Sequence, residues 1–297
     1  MKIVTYEIED RVKLGIFNTD GTWVYPLASF GVDYKDMSEV LEEMSESEIQ
    51  FLEYSAKKDP YEVRGAVGAE DVRILAPVRF PKQDIICLGL NYKEHAEESE
   101  HYQKDTFCTD GSSAVYFSKR VNRATGPEEE IPSYPELTDS LDYEAELAVI
   151  LGKDAFQVPK EEAEQYIFGY TIINDVTARE IQTRHKQWYF GKSLDGFLPM
   201  GPCIVTANEI GFPPKLKIQS RVNGELRQDS NTSEMIVGVD HVISELSKGM
   251  TLKAGTIIAM GTPAGAGMGF TPPKFLKSGD VVECTIEKIG SIKNPVR

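Results

Sequence analysis

Leu141-Asp-Tyr-Glu-Ala-Glu-Leu-Ala-Val-Ile150 reads as a β-strand in which two carboxylates, Glu144 and Glu146, interrupt apolar sequence. Side chains alternate faces along a strand with period two, so both glutamates point the same way. Neighbouring ionised carboxylates repel, and burying each without a partner is costly. A third carboxylate, Asp175, closes a similar segment, Gly169-Tyr-Thr-Ile-Ile-Asn-Asp175. A hard divalent cation (Mg2+, Mn2+ or Ca2+) would relieve repulsion and burial together, because such ions take oxygen ligands. Taken alone, Glu-x-Glu fits equally a wet strand face or one neutralised by Lys or Arg, and Asp175 alone fits a helix-entry residue.

The same reading extends along the chain. Short β-branched runs bounded by Gly, Pro or Asn predict strands at 85–90, 115–118, 144–151, 170–173, 201–205, 217–222, 256–260 and 281–286. Helices are sparse, at 91–98, 177–185 and 241–248, which excludes a doubly wound sheet with a helix after each strand. The expected fold is therefore α+β and mainly β, a mixed β-sandwich roll or barrel. Ahead of it, 2–8, 12–17 and 22–27 alternate as a meander around Asp20-Gly21, and 36–57 is helical, with Ser45 and Glu48 spaced as a capping box. A boundary near residue 75 gives a small N-terminal α/β domain, 1–75, and a catalytic domain, 76–297. Asn223-Gly224 is a hairpin turn.

With 32 basic and 47 acidic residues the net charge is −15, which argues against nucleic acid or an anionic membrane as partner. Cys87, Cys108, Cys203 and Cys284 lack Cys-x-x-Cys spacing and read as free thiols in a reducing cytoplasm. No apolar run approaches the roughly 18 to 20 residues of a membrane span. The sequence thus predicts a soluble cytoplasmic protein.

Several further segments carry chemistry. His95 and Glu98, three apart on a predicted helix, can touch, and a carboxylate beside an imidazole suits a general base for water. A solvated helix face accounts for the pair as well. Lys192, in Tyr189-Phe-Gly-Lys-Ser-Leu-Asp195, is either a snorkelling lysine or a stabiliser of developing negative charge. The run Gly261-Thr-Pro-Ala-Gly-Ala-Gly-Met-Gly269 lacks a P-loop ending. It is a long turn, or a backbone nest that binds a substrate carboxylate together with the Thr262 hydroxyl. Residues 99–113 are polar and unpatterned, as in a surface loop or a lid.

Together, Gly89-Leu-Asn-Tyr-x-x-His95, Leu141-Asp-Tyr-Glu-x-Glu-Leu, Gly169-Tyr-Thr-x-x-Asn-Asp175-x-Thr-Ala-Arg, Gly191-Lys-Ser, Val222-Asn-Gly and Gly261-Thr-Pro-x-Gly resemble the fumarylacetoacetate hydrolase family. The resemblance runs from about residue 78 onward and is strongest to members that act on acylpyruvates or oxaloacetate. It implies a β-sandwich roll assembled as a homodimer, with Mg2+ or Mn2+ on Glu144, Glu146 and Asp175. It further implies a water-activating pair, His95 and Glu98, with Lys192 beside the metal and Arg179, Gln182 and Thr262 against the substrate. The expected reaction is hydrolysis of a C–C bond in a 2,4-dioxo acid. Oxaloacetate decarboxylation on the same site and a non-catalytic binder are the alternatives.

Overall fold

The computed structural model describes residues 1–102 and 113–297. The proposed lid at 99–113 falls for the most part outside the described residues, as does Cys108. The chain opens with the expected meander of β1 (Lys2–Ile8), β2 (Arg11–Phe17) and β3 (Trp23–Pro26). Gly21, in the turn before β3, takes φ +78°, a left-handed conformation that glycine adopts without a Cβ penalty. Two helices follow, α1 (Met37–Glu43) and α2 (Glu46–Ser55). The capping box starts α2: Ser45 Oγ accepts from the Glu48 N–H, and Glu48 Oε2 accepts from the Ser45 N–H. Two short strands, β4 (Val67–Gly68) and β5 (Arg73–Ile74), pair with β3 and β1.

Next come β6 (Ile85–Gly89), α3 (Lys93–Tyr102), β7 (Val115–Lys119), β8 (Leu141–Asp142), β9 (Ala145–Leu151), β10 (Ile167–Asn174) and β11 (Thr177–Ala178). They are followed by α4 (Arg179–Arg184), α5 (Tyr189–Lys192), β12 (Met200–Thr206), β13 (Lys217–Val222), β14 (Glu225–Asn231), α6 (Val239–Ser247), β15 (Ile257–Ala259), β16 (Val281–Ile286) and β17 (Gly290–Pro295). One 11-stranded sheet runs β4-β3-β2-β1-β12-β10-β9-β15-β6-β7, with β5 beside β1. It is mixed: β15 pairs parallel with β6 and antiparallel with β9. The N-terminal strands join it through β1 and β12, in register Lys2↔Val205. A second sheet, β14-β13-β16-β17, lies across from it, and neither sheet closes into a barrel. The roll is the correct half of the sequence expectation.

Every residue of β9 is buried, because both faces of the strand pack. Leu147, Val149 and Leu151 enter one core with Ile218, Val282 and Ile286 of the second sheet. Ala148 and Ile150 enter another, shared with Ile85, Cys87 and the apolar faces of α1 and α2. Glu144 and Glu146 continue this even-numbered face at its end. Such close packing leaves no room at Gly169 on β10, where a Cβ would lie 2.3 Å from the Val205 carbonyl oxygen on β12. Gly169→Ala is expected to destabilise the fold by about 1–3 kcal/mol, the usual cost of overpacking. A lower urea midpoint at unchanged slope is the expected signature; an unchanged midpoint would refute it.

Two local expectations differ. The helix expected over 177–185 starts later: Thr177 lies in β11, bridged to Asp142, and its hydroxyl donates to the Asp175 carbonyl. The helix therefore begins at Arg179 behind Ala178, which offers no cap. Strands β14 and β17, and the two-residue strands β4, β5 and β11, are additional to the predicted set.

Candidate metal and acid–base site

Glu146 stands opposite Ile173 in the β9–β10 register, and Asp175 follows the end of β10. The Asp175 N–H donates to the Glu144 carbonyl at 2.8 Å, while Asn174 Oδ1 accepts from the Glu144 N–H. These bonds fix the strand ends, so one carboxylate oxygen from each of Glu144, Glu146 and Asp175 lies within 4.8 Å of the others. Their exposures are 4%, 1% and 0%, which removes the wet-face reading.

Neutralisation by cations is real but incomplete. Lys192 Nζ donates to Glu144 Oε2 at 2.5 Å and Asp175 Oδ2 at 2.6 Å. Arg179 Nη2 donates to Glu144 Oε1 at 2.5 Å, and Lys119 Nζ to Asp175 Oδ1 at 2.6 Å. Burial works against the Glu144 anion, yet Arg179, Lys192 and His95 hold its pKa below the ordinary glutamate value. Burial likewise opposes the Lys192 ammonium, but Asp175 and Glu144 raise its pKa above the usual lysine value. For Lys119 burial wins, and its pKa falls despite Asp175.

Glu146 makes no ion pair among the described residues; its Oε2 accepts only from the Gly261 N–H, at 2.8 Å. Burial first, then Asp175 and Glu144, push its pKa well above the ordinary value. A buried carboxylate left without a cation, beside two others with converging oxygens, is what a divalent ion would satisfy. The donor set is all oxygen and hard, which fits Mg2+, Mn2+ or Ca2+.

His95 lies in the first turns of α3, whose entry is pinned by Asn91. Asn91 Nδ2 donates to the carbonyls of Val237 and Met260, and its Oδ1 accepts from the Val237 N–H. The imidazole is 4% exposed, with Nε2 3.9 Å from Glu144 Oε1 and Nδ1 3.5 Å from Glu98 Oε2. The pair is thus adjacent without a formed hydrogen bond. Glu98 instead accepts from the Gly265 N–H, at 3.0 and 3.1 Å to its two oxygens.

The remaining residues singled out in the sequence divide in two. Arg179 and Gln182 join the cluster, Arg179 Nη1 donating to Gln182 Oε1 at 3.2 Å. The Thr262 hydroxyl is engaged by protein on both sides, donating to the Ala145 carbonyl and accepting from Gln228 Nε2. The glycine-rich run does form a nest, but its N–H groups serve protein carboxylates: Gly261 binds Glu146, Gly265 binds Glu98, and Gly267 and Met268 bind Asp142. Backbone donors this close to buried carboxylates are drawn to them first. Sequence reading missed Lys119 and Asp142, both fully buried here. The signal existed in each case: a lone charge at the end of an apolar strand, the same feature that exposed Glu144 and Glu146.

The fold and site set a buried carboxylate triad, flanked by cations and one imidazole, at the end of paired strands in a mixed β roll. Residues 84–297 match the family described as Fumarylacetoacetate (FAA) hydrolase C-terminal, and the chain belongs to the fumarylacetoacetate hydrolase family. It is 47% identical over 232 residues to oxaloacetate tautomerase YisK of Bacillus subtilis (strain 168), covering 76% of this chain and 73% of that protein. Among solved structures it resembles fumarylacetoacetate hydrolase (EaFAH) from psychrophilic Exiguobacterium antarcticum, with 37% identity and TM-score 0.83 over 100% of this chain and 99% of that one. A 5-carboxymethyl-2-hydroxymuconate delta-isomerase from Mycobacterium smegmatis is similar at 27% identity and TM-score 0.73, covering 100% of this chain and 99% of that one. Among the described residues no helix is long and apolar enough to cross a membrane.

Proposed function

We propose that the protein interconverts the keto and enol forms of a 2-oxo dicarboxylic acid of the oxaloacetate type, using Mg2+ or Mn2+ held by Glu144, Glu146 and Asp175. The observation that carries this reading is one buried imidazole, His95, set 3.9 Å from a metal-competent carboxylate triad. Tautomerisation needs one group able to take a proton from carbon and return it to oxygen, and His95 is such a group. The relative named an oxaloacetate tautomerase and the solved isomerase support the choice of reaction.

Held by these three carboxylates, a divalent cation would supply Lewis-acid polarisation of the substrate's 2-oxo group. His95 accepts the C3 proton; the C–H pair becomes the C2–C3 π bond, and the carbonyl π pair moves onto the C2 oxygen. Lys192 and Arg179 hold the negative charge that develops there. His95 then delivers its proton to that oxygen, so no atom is gained or lost. Glu98, 3.5 Å from Nδ1, stands on the side of the ring away from Glu144 and orients it.

Hydrolysis of an acylpyruvate is the second reading. It is favoured by the same Glu98 carboxylate beside Nδ1, which would equally support an imidazole that takes a proton from water. One experiment separates them: oxaloacetate and acetylpyruvate are offered with Mg2+, following the enol absorbance and, in parallel, pyruvate release. Faster enol–keto equilibration than the Mg2+ blank, with little pyruvate formed, is the expected result. Rapid pyruvate release from acetylpyruvate with oxaloacetate equilibration at the blank rate would overturn the tautomerase reading. Rapid release from oxaloacetate instead would make the enzyme a decarboxylase.

A further inference from the structure

We propose that Asp142 is a positioning residue that ties the acid–base arm of the site to its cationic arm through the glycine-rich loop. This rests on the roles given above to His95 and Arg179. Asp142 is fully buried, and both of its oxygens are engaged. Oδ1 accepts from the N–H groups of Gly267 at 2.7 Å and Tyr143 at 2.9 Å. Oδ2 accepts from Arg179 Nε at 2.9 Å and the Met268 N–H at 3.0 Å. One carboxylate therefore grips a guanidinium and a loop at once.

Each partner leads on to a different part of the site. Arg179 reaches Glu144 Oε1 through Nη2 and Gln182 through Nη1. The loop reaches Glu98, whose carboxylate accepts from the Gly265 N–H and lies where a Cβ on Gly269 would stand, 2.5 Å from Glu98 Cδ. Glu98 in turn faces His95 Nδ1 at 3.5 Å. Gly267 permits this close approach, since a Cβ there would lie 2.6 Å from both Asp142 Oδ1 and the Lys274 carbonyl oxygen. A shift of Asp142 would thus displace the loop, Glu98 and the imidazole on one side and Arg179 on the other. Hydrogen bonds to an ionised acceptor are strong enough to transmit such a constraint.

The test is a double-mutant cycle between two residues that both hold the loop, Asp142→Asn and Glu98→Gln, with Gly267→Ala breaking the Asp142 contact from the loop side. Each variant is expected to lose up to about 10²-fold in kcat on oxaloacetate, the size of a misplaced reacting group. The double variant should fall little below the worse single, because coupled sites are not additive. KM should rise in Asp142→Asn more than in Glu98→Gln, since only the former loosens Arg179. Mn2+ binding should stay near that of the unaltered protein. Losses that multiply, or a kcat in both Asp142→Asn and Gly267→Ala equal to that of the unaltered protein, would overturn the proposal. Amide hydrogen exchange on the intact protein reads the coupling without turnover. Asp142→Asn and Gly267→Ala should each speed exchange across residues 261–269 and also at 93–99 on α3. Unchanged exchange at 93–99 in both would equally overturn it. If the unaltered protein does not act on oxaloacetate, the tautomerase reading falls and this exchange arm alone decides the role of Asp142.

Discussion

Stripping divalent cations with EDTA is expected to abolish turnover and lower the thermal midpoint, and Mg2+ or Mn2+ should restore both. The stability half of this expectation comes from Glu146. Its carboxylate is 1% exposed, lies beside those of Glu144 and Asp175, and among the described residues accepts only from the Gly261 N–H. Lys192 is already divided between Glu144 and Asp175, and among the described residues no side-chain cation pairs with Glu146. A dication at the triad relieves that repulsion in the folded state alone. At a concentration 100 times its dissociation constant it adds about 2.7 kcal/mol. Glu146→Gln separates this from a general salt effect. The amide keeps an oxygen for the Gly261 N–H but carries no charge, so the metal-free variant should be at least as stable as the unaltered protein. Its midpoint should then respond weakly to Mn2+. Full activity after exhaustive chelation, or an undiminished Mn2+ shift in Glu146→Gln, would remove the triad assignment.

How far the sequence reveals this arrangement depends on what each segment's neighbours are. Strands β6, β9, β10, β12 and β16 are rich in apolar and β-branched residues, as burial demands where they pair, and β13 alternates buried and more exposed residues; their positions are legible. Strands β14 (Glu225–Asn231) and β17 (Gly290–Pro295) are not, because they carry Glu, Arg, Gln, Asp, Lys and Asn on a sheet whose outer side meets solvent. The pairing of β1 with β12 is equally hidden, since register between strands about 200 residues apart leaves no local pattern. The helix expected from residue 177 starts at Arg179 because a tertiary contact, the bridge to Asp142, holds Thr177 in a strand. The carboxylate triad was legible because charge in an apolar strand is expensive wherever it occurs. The use of the glycine-rich nest was not: its N–H groups bind Glu98 of α3 and Asp142 and Glu146, two segments far from it in the chain. Folding brings those anions to the nest before any substrate can arrive.

Replacing His95 by alanine is expected to lower enol–keto interconversion by about 10²- to 10⁴-fold, the range for loss of a general base. Metal binding should survive, because the imidazole is not among the three converging ligands and its Nε2 stands 3.9 Å from Glu144 Oε1. Fold stability should change modestly, since α3 keeps the Asn91 contacts that anchor its start. The size of the loss follows from the setting. Among the described residues that converge here, Lys192 and Arg179 have pKa values raised above their usual ones, so neither gives up a proton readily. Glu144 is held as an anion below its ordinary value and paired with both cations, which makes it a poor base. His95 Nε2, 3.9 Å from Glu144 Oε1, is placed to accept the proton and to return it. Added imidazole should therefore recover part of the rate in His95→Ala, entering the space that the side chain vacates. A His95→Ala enzyme with undiminished turnover and intact Mn2+ binding would return the residue to a packing role and leave the proton transfer to water.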